Sequence, residues 1–192
     1  MRILLSVLIM AVGYSIAIYT IARVFITAFS FRSRVPFVPS SRASVIEIAK
    51  LLSIKAGDSV IDIGSGSGTL VCALARAFPK AGFTGIEINR MLILIATIRK
   101  SILRLGNVEF VAENAFNYDF SRFNKVCMYM TSDFNDKIMT FLEKQLPIDA
   151  IVVSSVFDFG KNFMEIHESE ISVYNIVSSK NSKKLYLWIK KQ

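Results

Sequence analysis

A short apolar run that opens into three alternating glycines constrains this chain more than any other feature. The glycines are Gly64, Gly66 and Gly68, and an acid, Asp62, stands two places before the first of them. Because glycine lacks a Cβ, a strand can turn sharply there and bring backbone N–H groups close to a ligand. The pattern therefore predicts a strand, a ligand-binding loop and a helix whose positive N-terminal end points at the same place.

A second acid, Glu87, ends the next apolar run. In nucleotide-binding folds a carboxylate about 20 residues after the glycines holds two ribose hydroxyls. A dinucleotide fingerprint would need a third glycine where this chain has Thr69, so NAD is disfavoured. Asp62 would repel a pyrophosphate but attract the cationic sulfonium and amino groups of S-adenosylmethionine. The charge pattern favours S-adenosylmethionine, and a glycine-rich turn without a ligand is the alternative.

These residues resemble the class I S-adenosylmethionine-dependent methyltransferases in three segments, 60–68, 85–89 and 108–115. The resemblance implies that Asp62 lies near the methionine amino group, that Glu87 binds the ribose and that Asn114 contacts the adenine. Many relatives carry Asp at the position of Asn114, and an amide adds a donor to that contact. The cofactor-binding residues predicted in this way are Asp62, Gly64, Ser65, Gly66, Gly68, Glu87 and Asn114.

Apolar runs alternate with helical patterns along most of the chain, which predicts an α/β fold. We expect a Rossmann-like, mostly parallel seven-stranded sheet with helices on both faces; its final hairpin is implied by the resemblance. Predicted strands are 59–63, 82–87, 108–112, 125–130, 150–155, 171–177 and 185–190. Predicted helices are 43–53, 70–78, 91–105, closed by Gly106, and 135–146.

An uncharged stretch runs from Ile3 to Ala22. As a helix it would extend roughly 30 Å, the thickness of a bilayer core, and so predicts one N-terminal transmembrane anchor. A cleaved signal peptide is the alternative, although its apolar region is about 7 to 15 residues long. Positive charge after the stretch predicts a catalytic domain on the cytoplasmic side of the membrane. In a eukaryote the same features could form a mitochondrial address.

The predicted domains are an anchor over 1–31, a Pro-containing linker or active-site flap over 32–42, and a methyltransferase domain over 43–192. The segment Val35-Pro36-Phe37-Val38-Pro39-Ser40, together with Val-Ser-Ser-Val-Phe at the end of the fifth strand, is similar to the membrane-associated protein-lysine methyltransferases. That family has prokaryotic and mitochondrial members. The likeness implies methylation of a lysine in a protein and favours a membrane protein, although Ser67 replaces an acid common in relatives.

Methyl transfer depends mainly on positioning and desolvation, so no strong general base is required. The predicted substrate-positioning residues are Phe37, Tyr129 and Asp133, with Phe157 as a further aromatic face for a cation. Each aromatic side chain could equally belong to the core, and Asp133 is more readily interpreted as the N-cap of a helix starting near Asn135.

Other chemistries find less support in the sequence. Cys72 and Cys127 have apolar neighbours in the sequence, which predicts that they pack in the core. His167 has no metal-ligand partner nearby, so it is interpreted as a solvated surface residue. No metal is therefore expected. The formal net charge is +8, but the basic residues are scattered, so no nucleic-acid partner is expected. The predicted partners are a membrane, through the N-terminal helix, and a protein substrate. A methyltransferase for a small lipophilic acceptor and a non-catalytic assembly factor are the alternatives.

Overall fold

The structure is a computed structural model that describes residues 2–31, 42–178 and 181–191. Contacts divide the chain into two compact units, Met1–Val38 and Pro39–Gln192. Phe37 and most of the predicted linker or flap lie outside the described residues. The division of the chain into three domains stays a prediction.

The first unit contains one long helix, α1 (Arg2–Phe31). Side chains from Leu5 to Ile21 are exposed along it. In the parts of the chain that the structure describes, no helix combines the length and the apolar character that a membrane crossing requires. The predicted transmembrane anchor is therefore not confirmed, and the orientation deduced from it stays a prediction.

The second unit alternates strands and helices, as the sequence predicts. Its helices are α2 (Arg42–Leu52), α3 (Thr69–Ala77), α4 (Arg90–Ile102), α5 (Ser132–Gln145) and α6 (Lys161–Ile166). Its strands are β1 (Ser59–Ile63), β2 (Gly82–Glu87), β3 (Val108–Ala112), β4 (Lys125–Met128), β5 (Ile151–Ser155), β6 (Ile171–Ser178) and β7 (Asn181–Ile189).

All seven strands form one sheet in the order β3-β2-β1-β4-β5-β7-β6. The first five strands of the chain are parallel, whereas β7 runs antiparallel to both β5 and β6. The sheet is thus mixed, a correction to the mostly parallel sheet of the prediction, because the last two strands form a hairpin. The strand order reverses between β1 and β4, and in open α/β sheets ligands bind beyond the carboxyl ends of strands at such a point.

Side chains alternate between two cores on the two faces of the sheet. Ile61, Ile63, Val126 and Val152 pack with α5 and α6 on one face. Val60, Phe83, Val108 and Val153 pack with α2 and α3 on the other. Successive residues of a strand point to opposite faces, so the predicted covering of both faces by helices is confirmed.

Some boundaries differ from the prediction. Helix α4 ends at Ile102 rather than near Leu105, and Arg104 adopts a left-handed φ of 54° at its end. Gly106 is not among the glycines with positive φ, so it does not close the helix as predicted. Helix α6, with six residues, is absent from the prediction because one and a half turns are too short to show periodicity.

Candidate active site

The glycine loop connects β1 to α3 and is bent at each of its three glycines. Gly64, Gly66 and Gly68 have φ angles of 74°, 55° and 71°, a left-handed region that costs a residue with a Cβ about 1–2 kcal/mol. The amides of Gly64 and Ser65 both donate to the Ile86 carbonyl, at 2.9 and 3.0 Å. These two hydrogen bonds fix the loop against the end of β2.

Neighbouring side chains occupy the space beside the glycines. A Cβ on Gly64 would lie 2.5 Å from the sulfur of Met130, and one on Gly68 would overlap the ring of Phe110. Neither Met130 nor Phe110 is among the site residues predicted from the sequence, since an apolar residue near a strand end carries no distinctive signal. The glycines therefore permit the turn and also close packing of the loop against Phe110 of β3 and Met130 of the loop after β4.

Glu87 ends β2 directly beside this loop. Its Oε2 accepts a hydrogen bond from the Gly66 amide at 3.2 Å, and its Oε1 accepts one from the Asn89 amide at 3.0 Å. Each carboxylate oxygen has a second lone pair. The carboxylate is thus held in place while keeping acceptor capacity for a ligand hydroxyl.

Asp62 lies in β1, and only 6% of its surface is exposed. Burial raises the pKa of this carboxyl to about 7, a hydrogen bond from the Cys127 thiol opposes the rise, and the nearby charge of Glu87 adds to it. The same burial, with the Asp62 charge, raises the pKa of Cys127 well above its ordinary value. Asp62 is therefore a buried acid whose charge is sensitive to a cation placed near it.

Ser65 and Asn114 are the remaining polar residues predicted to bind the cofactor. The Ser65 hydroxyl is buried and has no hydrogen-bond partner among the described residues; buried polar groups normally have one. Asn114 lies two residues after the end of β3. Its Oδ1 accepts a hydrogen bond from the Phe116 amide at 3.1 Å. The predicted set thus converges on the carboxyl ends of β1, β2 and β3, and an unsatisfied hydroxyl and bent glycines fit a polar ligand there.

Tyr129 and Phe157, two of the aromatic residues predicted to meet the substrate, lie just beyond β4 and β5. The rings of Tyr129 and Phe157 meet edge to face, with centroids 5.7 Å apart and planes at 74°. Burial raises the pKa of the Tyr129 phenol. Tyr129 directly precedes Met130 in the chain, and the Met130 sulfur occupies the space that a Cβ on Gly64 would need.

Asp133 is not the N-cap that the sequence favoured. Helix α5 begins earlier than predicted, at Ser132, with Thr131 at the N-cap position and no side-chain capping bond. Asp133 is exposed in the first turn. Its N-cap interpretation is wrong, and its contact with a substrate stays a prediction.

His167 is not the solvated residue that the sequence suggested. Its side chain is 13% exposed and lies 3.1 Å from carboxylate oxygens of both Glu143 and Glu170. Its ring stacks on Phe163 at 4.2 Å. Glu170 also accepts from Trp188 Nε1, and the hydrogen bonds from His167 and Trp188 lower the pKa of its carboxyl. His167 therefore joins α5, α6 and β7.

The two cysteines are buried and unpaired, Cys72 in α3 and Cys127 in β4, which confirms their predicted place in the core. Within residues 2–31, 42–178 and 181–191, no three His, Cys, Asp or Glu side chains are grouped so that they could hold a metal ion.

Comparison with known proteins identifies relatives for most of the second unit. The family described as the ANTKMT methyltransferase domain matches residues 62–164. A human lysine N-methyltransferase, named for a subunit of ATP synthase, is 30% identical over 150 residues, which are 77% of this chain and 62% of the human protein. A protein-lysine N-methyltransferase of Saccharolobus islandicus is 30% identical over 144 residues, 73% of this chain and 89% of that protein. The chain thus spans less than two thirds of the human relative.

Among solved structures, the fold is similar to an RNA methyltransferase from Salinibacter ruber in complex with S-adenosyl-L-homocysteine. The TM-score is 0.70 and the identity 26%, over 81% of this chain and 95% of that one. S-adenosylhomocysteine is also bound in a methyltransferase from Thiobacillus denitrificans, which is 24% identical with a TM-score of 0.55 over 62% of this chain and 49% of that one.

Proposed function

The chain belongs to the family of S-adenosylmethionine-dependent methyltransferases that carry the ANTKMT methyltransferase domain, and from this we propose that it methylates lysine side chains of proteins. The observation that carries the proposal is the likeness to the Saccharolobus protein-lysine N-methyltransferase, which extends over 89% of that protein. The human relative, also named as a lysine N-methyltransferase, supports the same acceptor.

We propose that S-adenosylmethionine binds along the carboxyl ends of β1, β2 and β3. Once bound, it supplies an electrophilic methyl group on a cationic sulfonium. The remaining lone pairs of the Glu87 carboxylate accept hydrogen bonds from the ribose hydroxyls, and Asn114 contacts the adenine. The buried Ser65 hydroxyl, which has no partner among the described residues, holds the methionine part. Gly64, Gly66 and Gly68 lack a Cβ and so let this part of the cofactor approach the loop closely.

Asp62 neutralises the positive charge of the methionine amino group in this proposal. A cation within about 4–6 Å favours the ionised form of a carboxyl. Cofactor binding would therefore lower the pKa of Asp62 from about 7 and release a proton wherever the carboxyl is still protonated. Because the group is buried, this charge interaction is weakly screened by solvent.

The acceptor lysine would arrive at the ring pair of Tyr129 and Phe157 and lose its proton to solvent water before its nitrogen attacks the methyl carbon. A lysine with a reference pKa of about 10.4 is mostly charged at neutral pH, and aromatic faces attract such a cation. Desolvation beside the sulfonium then favours the neutral amine. Asp133, exposed at the start of α5, would attract the lysine on approach. Phe37, which lies outside the described residues, stays a predicted substrate-positioning residue.

The proposal is tested by following labelled methyl groups from S-adenosylmethionine. The full chain is incubated with a cell extract of its source that contains both soluble and membrane proteins, and label is measured in protein, RNA and organic-solvent fractions. We expect label in protein, and in methyl-lysine after hydrolysis. Label confined to RNA or to the organic extract would contradict the proposal, as would no transfer by a chain that binds the cofactor, which would favour an assembly factor.

A further inference from the structure

A buried amide in the first turn of α5 joins three separate parts of the site. Asn135 is 0% exposed. Its Nδ2 lies 3.3 Å from the Met130 carbonyl, 3.1 Å from the Ser154 Oγ and 2.6 Å from the Asp158 carbonyl. The two hydrogens of the Asn135 side-chain amide are shared among these three acceptors. The side chain thus ties the loop after β4 to β5 and to the loop after β5.

The loop after β5 is strained where it leaves the strand. Val156 has a φ of 73°, which is an outlier for a β-branched residue. Such a conformation persists only where the surrounding structure enforces it. Its amide donates to the Lys184 carbonyl at 2.8 Å, which holds the strained residue from one side.

The two residues after Val156 are held from the other side by the Asn135 network. The Ser154 hydroxyl, which accepts from Asn135, donates to the Phe157 carbonyl at 2.6 Å. Asn135 itself donates to the carbonyl of Asp158. Residues 156, 157 and 158 are therefore all held by hydrogen bonds, and the Phe157 ring lies against Tyr129.

The same amide reaches the cofactor side of the site through Met130. The Met130 carbonyl accepts from Asn135, and the Met130 sulfur occupies the space beside Gly64. Asn135 therefore contacts the backbone of a residue whose side chain packs beside the glycine loop.

We infer that Asn135 is a positioning residue, which holds the Tyr129–Phe157 ring pair at the place where the acceptor amine meets the cofactor. The inference rests on the proposed function, because it needs an acceptor at those rings. Asn135 touches neither reactant; it acts through the backbone at Met130 and Asp158 and through the hydroxyl of Ser154. It lies outside the three segments that resemble the class I methyltransferases.

The sharpest variant is Asn135→Asp, which keeps the size of the side chain but replaces the donor by an acceptor facing two carbonyls. Asn107→Asp is a matched control. The Asn107 Nδ2 also donates to three acceptors, the carbonyls of Ala75, Phe78 and Ala81 at 3.1, 3.3 and 3.0 Å, but it precedes β3, at the opposite end of the sheet from the site. Both variants lose an amide donor that serves three acceptors, Asn107 being half-buried, and only Asn135→Asp loses it beside the ring pair.

The experiment compares the full-length wild type with both variants. S-adenosylmethionine affinity is measured by calorimetry, and the acceptor KM is measured by titrating the protein fraction labelled in the preceding experiment. Amide hydrogen exchange is followed in residues 129–131 and 156–160. For Asn135→Asp we expect an acceptor KM raised about tenfold or more, faster exchange in both loops, and cofactor affinity within about twofold of wild type. Asn107→Asp should leave all three quantities near wild type.

Ser154→Ala serves if Asn135→Asp does not fold, since it deletes only one hydroxyl of the network; it should raise the acceptor KM by a smaller factor. An active Asn135→Asp or Ser154→Ala with the acceptor KM and loop exchange of Asn107→Asp would overturn the inference. A folded wild type that labels no protein would overturn the proposed function instead, so the two failures are distinct.

Discussion

The Glu87 carboxylate accepts a hydrogen bond from the Gly66 amide at 3.2 Å, across 21 positions of sequence. Its other oxygen accepts from Asn89. One side chain therefore orders both the loop after β1 and the turn after β2. A site that is ordered in advance loses less conformational entropy when the cofactor binds.

The packing of the glycine loop predicts a contrast between two alanine substitutions. Gly57 has a φ of 87° and open space where a Cβ would be, whereas Gly68 has a φ of 71° and a Cβ there would overlap Phe110 and come within 2.9 Å of Ala96. Gly57→Ala should lower the free energy of unfolding by about 1–2 kcal/mol through backbone strain alone. Gly68→Ala should cost about 1–3 kcal/mol more through overpacking. Urea unfolding measures both, and equal losses would contradict this contrast.

The parts of the fold that depend on local pattern could be predicted from the sequence. The apolar runs around Val60 and Phe83, separated by helical patterns, identify the parallel strands because that alternation has few other solutions. The left-handed Arg104 that ends α4 could not be predicted, since Gly106 nearby is the more usual residue for that conformation. The position of the nearest glycine therefore does not identify the end of a helix when tertiary packing determines it.

The raised pKa of Asp62 predicts a pH-dependent stability. In the unfolded chain its carboxyl has the ordinary pKa of 3.8, and in the folded chain about 7. Well below pH 3.8 the group is protonated in both states. As pH rises from there to about 7, the unfolded chain loses its proton first, so the folded state becomes less stable relative to the unfolded state. Asp62→Asn removes that loss. The variant should therefore gain stability relative to wild type between pH 4 and pH 8 in the absence of cofactor.

Urea unfolding of both proteins at several values between pH 4 and pH 8 measures this difference. A constant difference across the range would mean that Asp62 does not keep its proton in the fold. S-adenosylmethionine should reverse the trend for the wild type, because the proposed cation favours the charged carboxyl.

The ring pair predicts different effects for two substitutions of Tyr129. Tyr129→Phe keeps the aromatic face toward Phe157, whereas Tyr129→Ala removes it. A cation–π contact contributes about 0.5–2 kcal/mol, and about 1.4 kcal/mol is a tenfold change in binding. Tyr129→Ala should therefore raise the acceptor KM several-fold, and Tyr129→Phe should remain near wild type in the labelling assay. If both variants lose the same activity, the phenol rather than the ring is the important group.

The contacts of His167 predict that its replacement lowers the stability of the fold and leaves cofactor binding unchanged. The residue stacks on Phe163 and lies between Glu143 and Glu170. Stacking contributes about 0.5–1.5 kcal/mol and the hydrogen bond between His167 Nδ1 and Glu170 a similar amount. His167→Ala should lower the free energy of unfolding by about 2 kcal/mol, while Glu168→Ala, at the exposed neighbouring position, should have little effect. Unchanged stability in His167→Ala would contradict a structural role.

The site could be predicted from the sequence only where its residues follow the glycine pattern or end a strand. Asp62 and Glu87 are recognisable because their spacing from the glycines is fixed by the turn and by one helix. The surroundings of His167 could not be predicted, because its partners come from Glu143 in α5 and Phe163 in α6, and a polar stretch in sequence says nothing of what packs over it. For the same reason, the sequence identifies Asn135 only as a residue near the start of a helix and not as part of the site.

Calorimetric titration of the full chain with S-adenosylmethionine decides whether the glycine loop and Glu87 form a cofactor site. We expect binding of one molecule per chain, weakened at least about tenfold in Glu87→Gln, because an amide loses the negative charge that two backbone N–H groups and the ribose share. Glu109→Gln, an exposed glutamate of β3 paired with Arg122, should bind like the wild type. No binding by a folded wild type, or equal affinity in Glu87→Gln, would show that the cofactor site is not built in this way.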